Sequence, residues 1–221
     1  MFDPGQLIAS ALGGLVVLVL VAFALGTGEN VRRGNAILRW LQTGGLPVLG
    51  PRTTLRWLGS SAVELRIVEP AEPFRSVTVT VVLEPRDLPW LWALSRRRGR
   101  RDLVIFRADL RRAPVLELEL ADPSGWTSSE TVRTLQNPEE AWRQLPWPIE
   151  GVAGWRGQGD PSRLRSTIER LSASGRLSRL SISQTVPHLE LHVRPPDPTR
   201  LPAERLTRSF RELAGLVAER P

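Results

Sequence analysis

Cysteine, lysine and tyrosine are absent from this chain, methionine occurs once and histidine twice. Lack of cysteine excludes disulfides, thiolate catalysis and cysteine-ligated zinc or iron–sulfur centres. Lack of lysine leaves all 30 basic side chains as arginine, a bias that a GC-rich genome explains more simply than selection for bidentate contacts. Few asparagines alongside many prolines and arginines also suit a thermophile. No catalytic, nucleotide or metal motif rises above chance. Charge is missing from one long run, Leu7 to Leu25, and the rest of the 221-residue chain has no second apolar stretch of that length.

At about 1.5 Å per residue this run nearly crosses a hydrocarbon layer of roughly 30 Å, so it reads as a membrane span. Its flanks give a direction. Only the α-amino group and Asp3 precede it, whereas Arg32, Arg33 and Arg39 follow, and the positive-inside rule then places the N-terminus outside and the body in the cytoplasm. Ala22-Phe23-Ala24 has the small-x-small form of a signal-peptide cleavage site. A cleaved signal, however, carries its basic residues before the apolar core and not after it. The expectation is a single-pass anchor in the cell membrane.

Beyond the span, Asn30 to Gln42 keeps helical spacing, with Val31, Ile37, Leu38 and Leu41 on one side and the three arginines around the other. Gly44-Gly45 is expected to stop it. Trp40 suits the interfacial zone through its amphipathic ring; the alternative is a linker helix packed on the body. The chain therefore divides into an anchor over residues 1–30, a juxtamembrane helix and linker over 31–53, and a domain over 54–221.

Strand periodicity begins at Thr54. Trp57 to Val68 and Phe74 to Leu83 form an expected hairpin around Glu69-Pro70-Ala71-Glu72-Pro73. Leu103 to Leu110 and Val115 to Leu120 suggest a second, around Arg111-Arg112-Ala113-Pro114. Asp122 to Gly159, rich in Pro, Gly, Ser and Trp, reads as a long connection pinned by Trp126, Trp142, Trp147 and Trp155. Asp160 caps a helix through Leu171, a third hairpin joins Leu177–Ser183 to His188–Val193, and an amphipathic helix spans about Leu201 to Glu219. The expected fold is α+β: an N-terminal transmembrane helix, then a mostly antiparallel sheet of about six strands with two helices on one face.

Function is sought first in Pro85 to Asp102. Trp90, Leu91 and Trp92 lie in an apolar tip, followed by Arg96, Arg97, Arg98, Arg100 and Arg101. Such a tip suits a membrane surface, because aromatic side chains enter the interfacial layer while guanidinium groups meet anionic lipid, each worth on the order of 1 kcal/mol. The alternative is a solvated basic loop whose tryptophans fold back into the core. The stretch Leu83-Glu84-Pro85-Arg86 through Leu94-Ser95 to Arg101-Asp102-Leu103, with the Arg32–Trp40 helix and Trp57-Leu58-Gly59, resembles an uncharacterised family of single-span membrane proteins from archaea and some bacteria. That resemblance implies membrane anchoring and brings no activity, cofactor or assigned catalytic residue.

His188, Glu190 and His192 form His-x-Glu-x-His on an expected strand, so all three should share a face. Their two histidine Cα atoms would stand roughly 13 Å apart, too far for one metal ion without a bulge. They are the weak candidates for a metal or catalytic site, and neither a metal nor a cofactor is implied. A basic nucleic-acid-binding domain is the remaining class, but the arginines gather beside the anchor and the apolar tip, which favours lipid. The sequence thus points to a cytoplasmic interaction module at the anionic inner leaflet, facing a membrane-protein partner, with a membrane-associated enzyme as the alternative.

Overall fold

The computed structural model describes residues 4–197 and 200–219. Asp3 and the α-amino group, used above for orientation, lie outside the described residues. Helix α1 (Pro4–Trp40) continues through a π-helical segment (Leu41–Gly45) into α2 (Leu46–Leu49), giving one helical rod. At about 1.5 Å per residue the rod is close to 70 Å long. Its N-terminal part is apolar and bare: Leu12, Leu15, Val16, Leu18 and Leu25 are each more than half exposed. Among the described residues this is the one helix long and apolar enough to cross a membrane.

The rest of the chain forms strands β1 (Thr53–Trp57), β2 (Ala62–Ile67) and β3 (Phe74–Val82), then helix α3 (Pro89–Arg97) and strands β4 (Leu103–Leu110) and β5 (Leu116–Ala121). Helix α4 (Ser129–Gln136) precedes the short strands β6 (Arg143–Gln144) and β7 (Val152–Gly157). Helix α5 (Arg165–Ala173), strands β8 (Arg176–Ile182) and β9 (Leu189–Arg194) and helix α6 (Ala203–Ala218) complete it. Among the described residues the nine strands make one sheet, ordered β1-β2-β3-β4-β9-β8-β5-β7-β6, with every pairing antiparallel. The class is α+β.

The strand count exceeds the sequence expectation for identifiable reasons. Trp57–Val68 is split by a turn in which Gly59 takes φ 102°, a conformation open to glycine. The expected connection Asp122–Gly159 contains α4, β6 and β7, whose strands are too short or too irregular in alternation to stand out. Leu103–Leu110 and Val115–Leu120 do not form a hairpin. The edge of β4 is taken by β9 and that of β5 by β8, so Arg111–Pro114 carries the chain across the sheet. Alternation fixes which face of a strand is wet, not which strand lies beside it.

One face of the sheet carries the core. Val77, Val79 and Val81 of β3, Phe106 and Ala108 of β4 and Leu189, Leu191 and Val193 of β9 are buried beneath α6. Phe210 of α6 stacks on Phe74 at 5.7 Å between ring centroids and meets Phe106 at 5.4 Å. Each such fully buried side chain contributes about 1.5–3 kcal/mol. Helix α6 is flanked by α5 on one side and by the π-helical segment and α2 on the other.

The lower half of the rod is part of this layer. Gly26, Asn30, Gly34, Ile37, Leu38, Leu41 and Gly45 are buried at intervals of three and four. Gly44-Gly45 does not stop the helix, because its glycines serve packing. A β-carbon on Gly45 would stand 2.9 Å from Cβ of Ala203, and one on Gly34 would meet the Trp57 ring at 2.8 Å. Trp40 is 7 % exposed and its indole N–H donates to the Leu201 carbonyl at 2.7 Å. Of the two readings of this helix, the packed one describes Trp40.

The registers also orient the body. Val82 pairs with Leu103, Val104 with Val193 and Ala108 with Leu189. The β3–β4 connection carrying α3 and the C-terminal end of β9 are therefore at one end, and the β8–β9 turn with exposed Val186 at the other.

Candidate functional site

The bare apolar part of α1 ends where the body begins. A β-carbon on Gly26 would lie 1.9 Å from the carbonyl oxygen of Arg86 and 2.7 Å from Cα of Asp87, so the rod touches the chain just before α3. Pro89, with φ already set, opens α3, and Gly99 at φ 79° closes it. The β1–β2 turn joins the same end, because the Ser60 hydroxyl lies 3.0 Å from a carboxylate oxygen of Asp87 and donates to it. Leu58 in that turn is 47 % exposed. It was missed as a site residue, although an apolar side chain directly before Gly59-Ser60-Ser61 is a visible anomaly for a turn.

Helix phase divides the residues of α3. Trp90, Leu91 and Leu94 are 59 %, 39 % and 47 % exposed and form one stripe, which Arg97 and Arg98 extend. Arg97 and Arg98 make no ion pair among the described residues. Trp92 turns inward, where its indole N–H donates to Glu84 Oε2 at 2.5 Å. Arg96 approaches the same oxygen at 3.4 Å and lies 5.5 Å from the Trp92 ring centroid. Arg100 stacks over Trp126 at 5.0 Å, and Arg101 donates to the carbonyls of Arg96 and Arg100. Four of the eight residues singled out there, Trp90, Leu91, Arg97 and Arg98, are thus free on the surface, while Trp92, Arg96, Arg100 and Arg101 have partners within the body. Beyond the bare apolar part of α1, Arg32 and Arg33 both bind Glu29, and Arg39 is exposed with its Nε donating to the Asn35 carbonyl.

The second candidate set sits on the face of the sheet opposite the core. Glu119, Ser181, Glu190 and Arg107 lie side by side on β5, β8, β9 and β4. Arg107 binds Glu190 at 2.7 Å, and Arg179 bridges Glu190 and Glu119 at 3.3 and 3.4 Å. The Ser181 hydroxyl donates to Glu119. His192 Nε2 stands 2.7 Å from Glu190 Oε1, and its Nδ1 stands 3.0 Å from the Thr127 hydroxyl. Its hydrogen bond to His192, outweighing burial and helped by Arg107, holds the Glu190 carboxyl down at about 2. Being ionised, Glu190 can only accept, so Nε2 carries the proton toward it. Burial instead pushes Glu119 up, despite Arg179.

This chain of hydroxyl, imidazole and carboxylate has the order of a hydrolytic triad. Its surroundings are those of a structural network: His192 is 4 % exposed and Glu190 is held by two arginines. His188 stands apart, its Nδ1 accepting the Leu110 amide at 2.9 Å. Among the described residues no three histidine or carboxylate side chains gather closely enough to hold a metal ion. A hollow of about 680 Å³ between Trp147–Gly151 and α5 is lined by Leu120, Ile168 and Leu177 with Glu169 and Arg176 and includes no histidine.

Compared with protein-family models and with curated proteins, the chain matches none. The resemblance noted above rests on the residues quoted for it alone, those of Leu83–Leu103, the Arg32–Trp40 helix and Trp57-Leu58-Gly59.

Proposed function

We propose that this protein is a single-span membrane protein whose body lies in the cytoplasm and docks on the inner leaflet. Docking uses the outer stripe of α3 and the β1–β2 turn, and it presents the rest of the body to a membrane-protein partner. The observation that carries this reading is the contact of Gly26 with Arg86 and Asp87, which brings Trp90, Leu91, Leu94 and Leu58 to the level at which the bare apolar helix ends. Side chains of this kind gain by entering the headgroup boundary, and Arg97 and Arg98 add attraction for anionic lipid, about 1 kcal/mol each. The packed lower half of the rod supports it further, since a body joined to its anchor through a continuous helix cannot drift from the surface as it would on a flexible linker.

Hydrogen–deuterium exchange on the full chain in bilayers tests the docking. The amides of Trp90 to Arg98 are expected to exchange more slowly in anionic than in neutral bilayers. Equal exchange in the two would mean that α3 faces water, leaving the anchor without a second contact.

A further inference from the structure

Beside α3 lies a cleft of about 440 Å³, walled by α1, the chain around Glu84–Arg86 and the end of β9. Five arginines line it: Arg33, Arg86, Arg96, Arg101 and Arg194. Its two carboxylates, Glu84 and Asp102, are already committed. Asp102 receives the terminal nitrogens of Arg86 at 2.9 and 3.0 Å and the Glu84 amide at 2.8 Å. Glu84 receives Trp92 and Arg96. That arrangement matches Arg86 with a bidentate partner; Arg33, whose Nε binds Glu29, also brings Nη1 to 3.6 Å from Asp102, and five guanidinium groups against two carboxylates still leave positive charge in excess in the cleft.

Arg194 is the clearest case. It is half-buried, and its guanidinium makes no hydrogen bond or ion pair among the described residues. Burial, then the like charge of Arg176 and to a smaller extent that of Arg101, pushes its guanidinium down from the ordinary range, and Asp122, the partner of Arg176, opposes them. Holding an unpaired cation there costs free energy that an anion would recover.

We propose that this cleft binds the phosphate of an anionic membrane lipid, whose oxygens accept from Arg194, Arg101 and Arg33. The claim rests on the docking of α3 and names the lipid chemistry that docking engages. Position supports it. Arg33 follows Gly26 by seven residues, about 10 Å along the helix, while the headgroup layer is roughly 5–7 Å deep on each side. The cleft therefore opens just under that layer, within reach of a phosphate that projects from it. A phosphomonoester suits the surplus of charge, with close to two negative charges and three acceptor oxygens for planar guanidinium forks.

The test uses the full chain in neutral phosphatidylcholine nanodiscs with phosphatidic acid as a minor component, and native mass spectrometry to count retained lipid. Arg101→Gln/Arg194→Gln is expected to lose retained phosphatidic acid roughly tenfold or more. Arg194→Lys, which keeps the charge, should lose less, and Arg75→Gln/Arg112→Gln, exposed at the opposite end of the sheet from α3, should retain it. An unchanged thermal midpoint in the double variant shows that the fold persists. Equal retention by wild type and the double variant would overturn the proposal. So would chemical-shift changes at the cleft with inorganic phosphate and none with phosphatidic acid, which would assign the site to a soluble anion. Exchange at α3 in the same discs separates the two claims: protection without lipid retention removes the cleft and leaves docking, and loss of protection removes docking itself.

Discussion

The indole N–H of Trp92 donates to the carboxylate of Glu84, which is 3 % exposed, while Trp90, two residues earlier, stands 59 % in the open. Two tryptophans in one short helix thus serve different links of the chain from sequence to function. Trp92→Phe removes a donor from a buried carboxylate and is expected to cost about 1–3 kcal/mol of stability. Trp90→Ala should change the thermal midpoint little and weaken attachment of α3 to anionic bilayers. Melting curves of the two variants, read beside α3 exchange in bilayers, check the division.

Gly26 and Gly28 make a matched pair on one helix. A β-carbon on Gly26 would strike the Arg86 carbonyl, whereas Gly28 has nothing within 4 Å. Replacing a helical glycine by alanine ordinarily gains up to about 1 kcal/mol. Gly28→Ala is expected to show that gain. Gly26→Val should instead lose about 2–3 kcal/mol, because backbone has to move away from backbone. Thermal unfolding of both in the same detergent decides it.

Acid should expose the Glu190 network. The carboxyl of Glu190 is held at about 2, below its ordinary 4.5, by the hydrogen bond with His192 and by Arg107. A depressed carboxylate contributes stability that is fully present above the unfolded value and is lost as pH falls from 4.5 toward 2. Glu190→Gln should therefore be less stable than wild type near neutrality, and the difference should shrink across that window. Urea titrations at several pH values give the comparison.

His188 is predicted to matter for folding. Its Nδ1 accepts the buried Leu110 amide, so His188→Phe leaves a backbone donor unpaired, at a cost of about 1–3 kcal/mol. His188→Gln, which can offer a carbonyl oxygen, should recover part of it. Equal stability of the Phe and Gln variants would show that this hydrogen bond contributes nothing.

The parts of the fold legible in sequence are those where burial follows a simple period. Val77, Val79 and Val81 announce β3, and Leu206, Phe210, Leu213 and Val217 announce α6, because one face of each is dry. Strand neighbours are not written that way, so β4 and β5 look like a hairpin although β9 and β8 lie between them. Gly44-Gly45 resembles a stop because helix ends and close helix crossings both call for glycine, and only the presence of Ala203 distinguishes them. The segment Pro85–Asp102 stands out by composition alone. Its division into an outer stripe and an inner anchor depends on helix phase and on Glu84, and the cleft depends on Arg33 and Arg194, which are far from it in sequence.

The most direct measurement of docking uses the chain's lack of cysteine. A single nitroxide on Leu94→Cys, and another on Val186→Cys at the far end of the body, can be read for depth in anionic vesicles by the relative access of oxygen and a water-soluble nickel chelate. Docking predicts the Leu94 label at or inside the headgroup layer and the Val186 label in water. Both labels in water would contradict docking and reduce the membrane contact to the anchor.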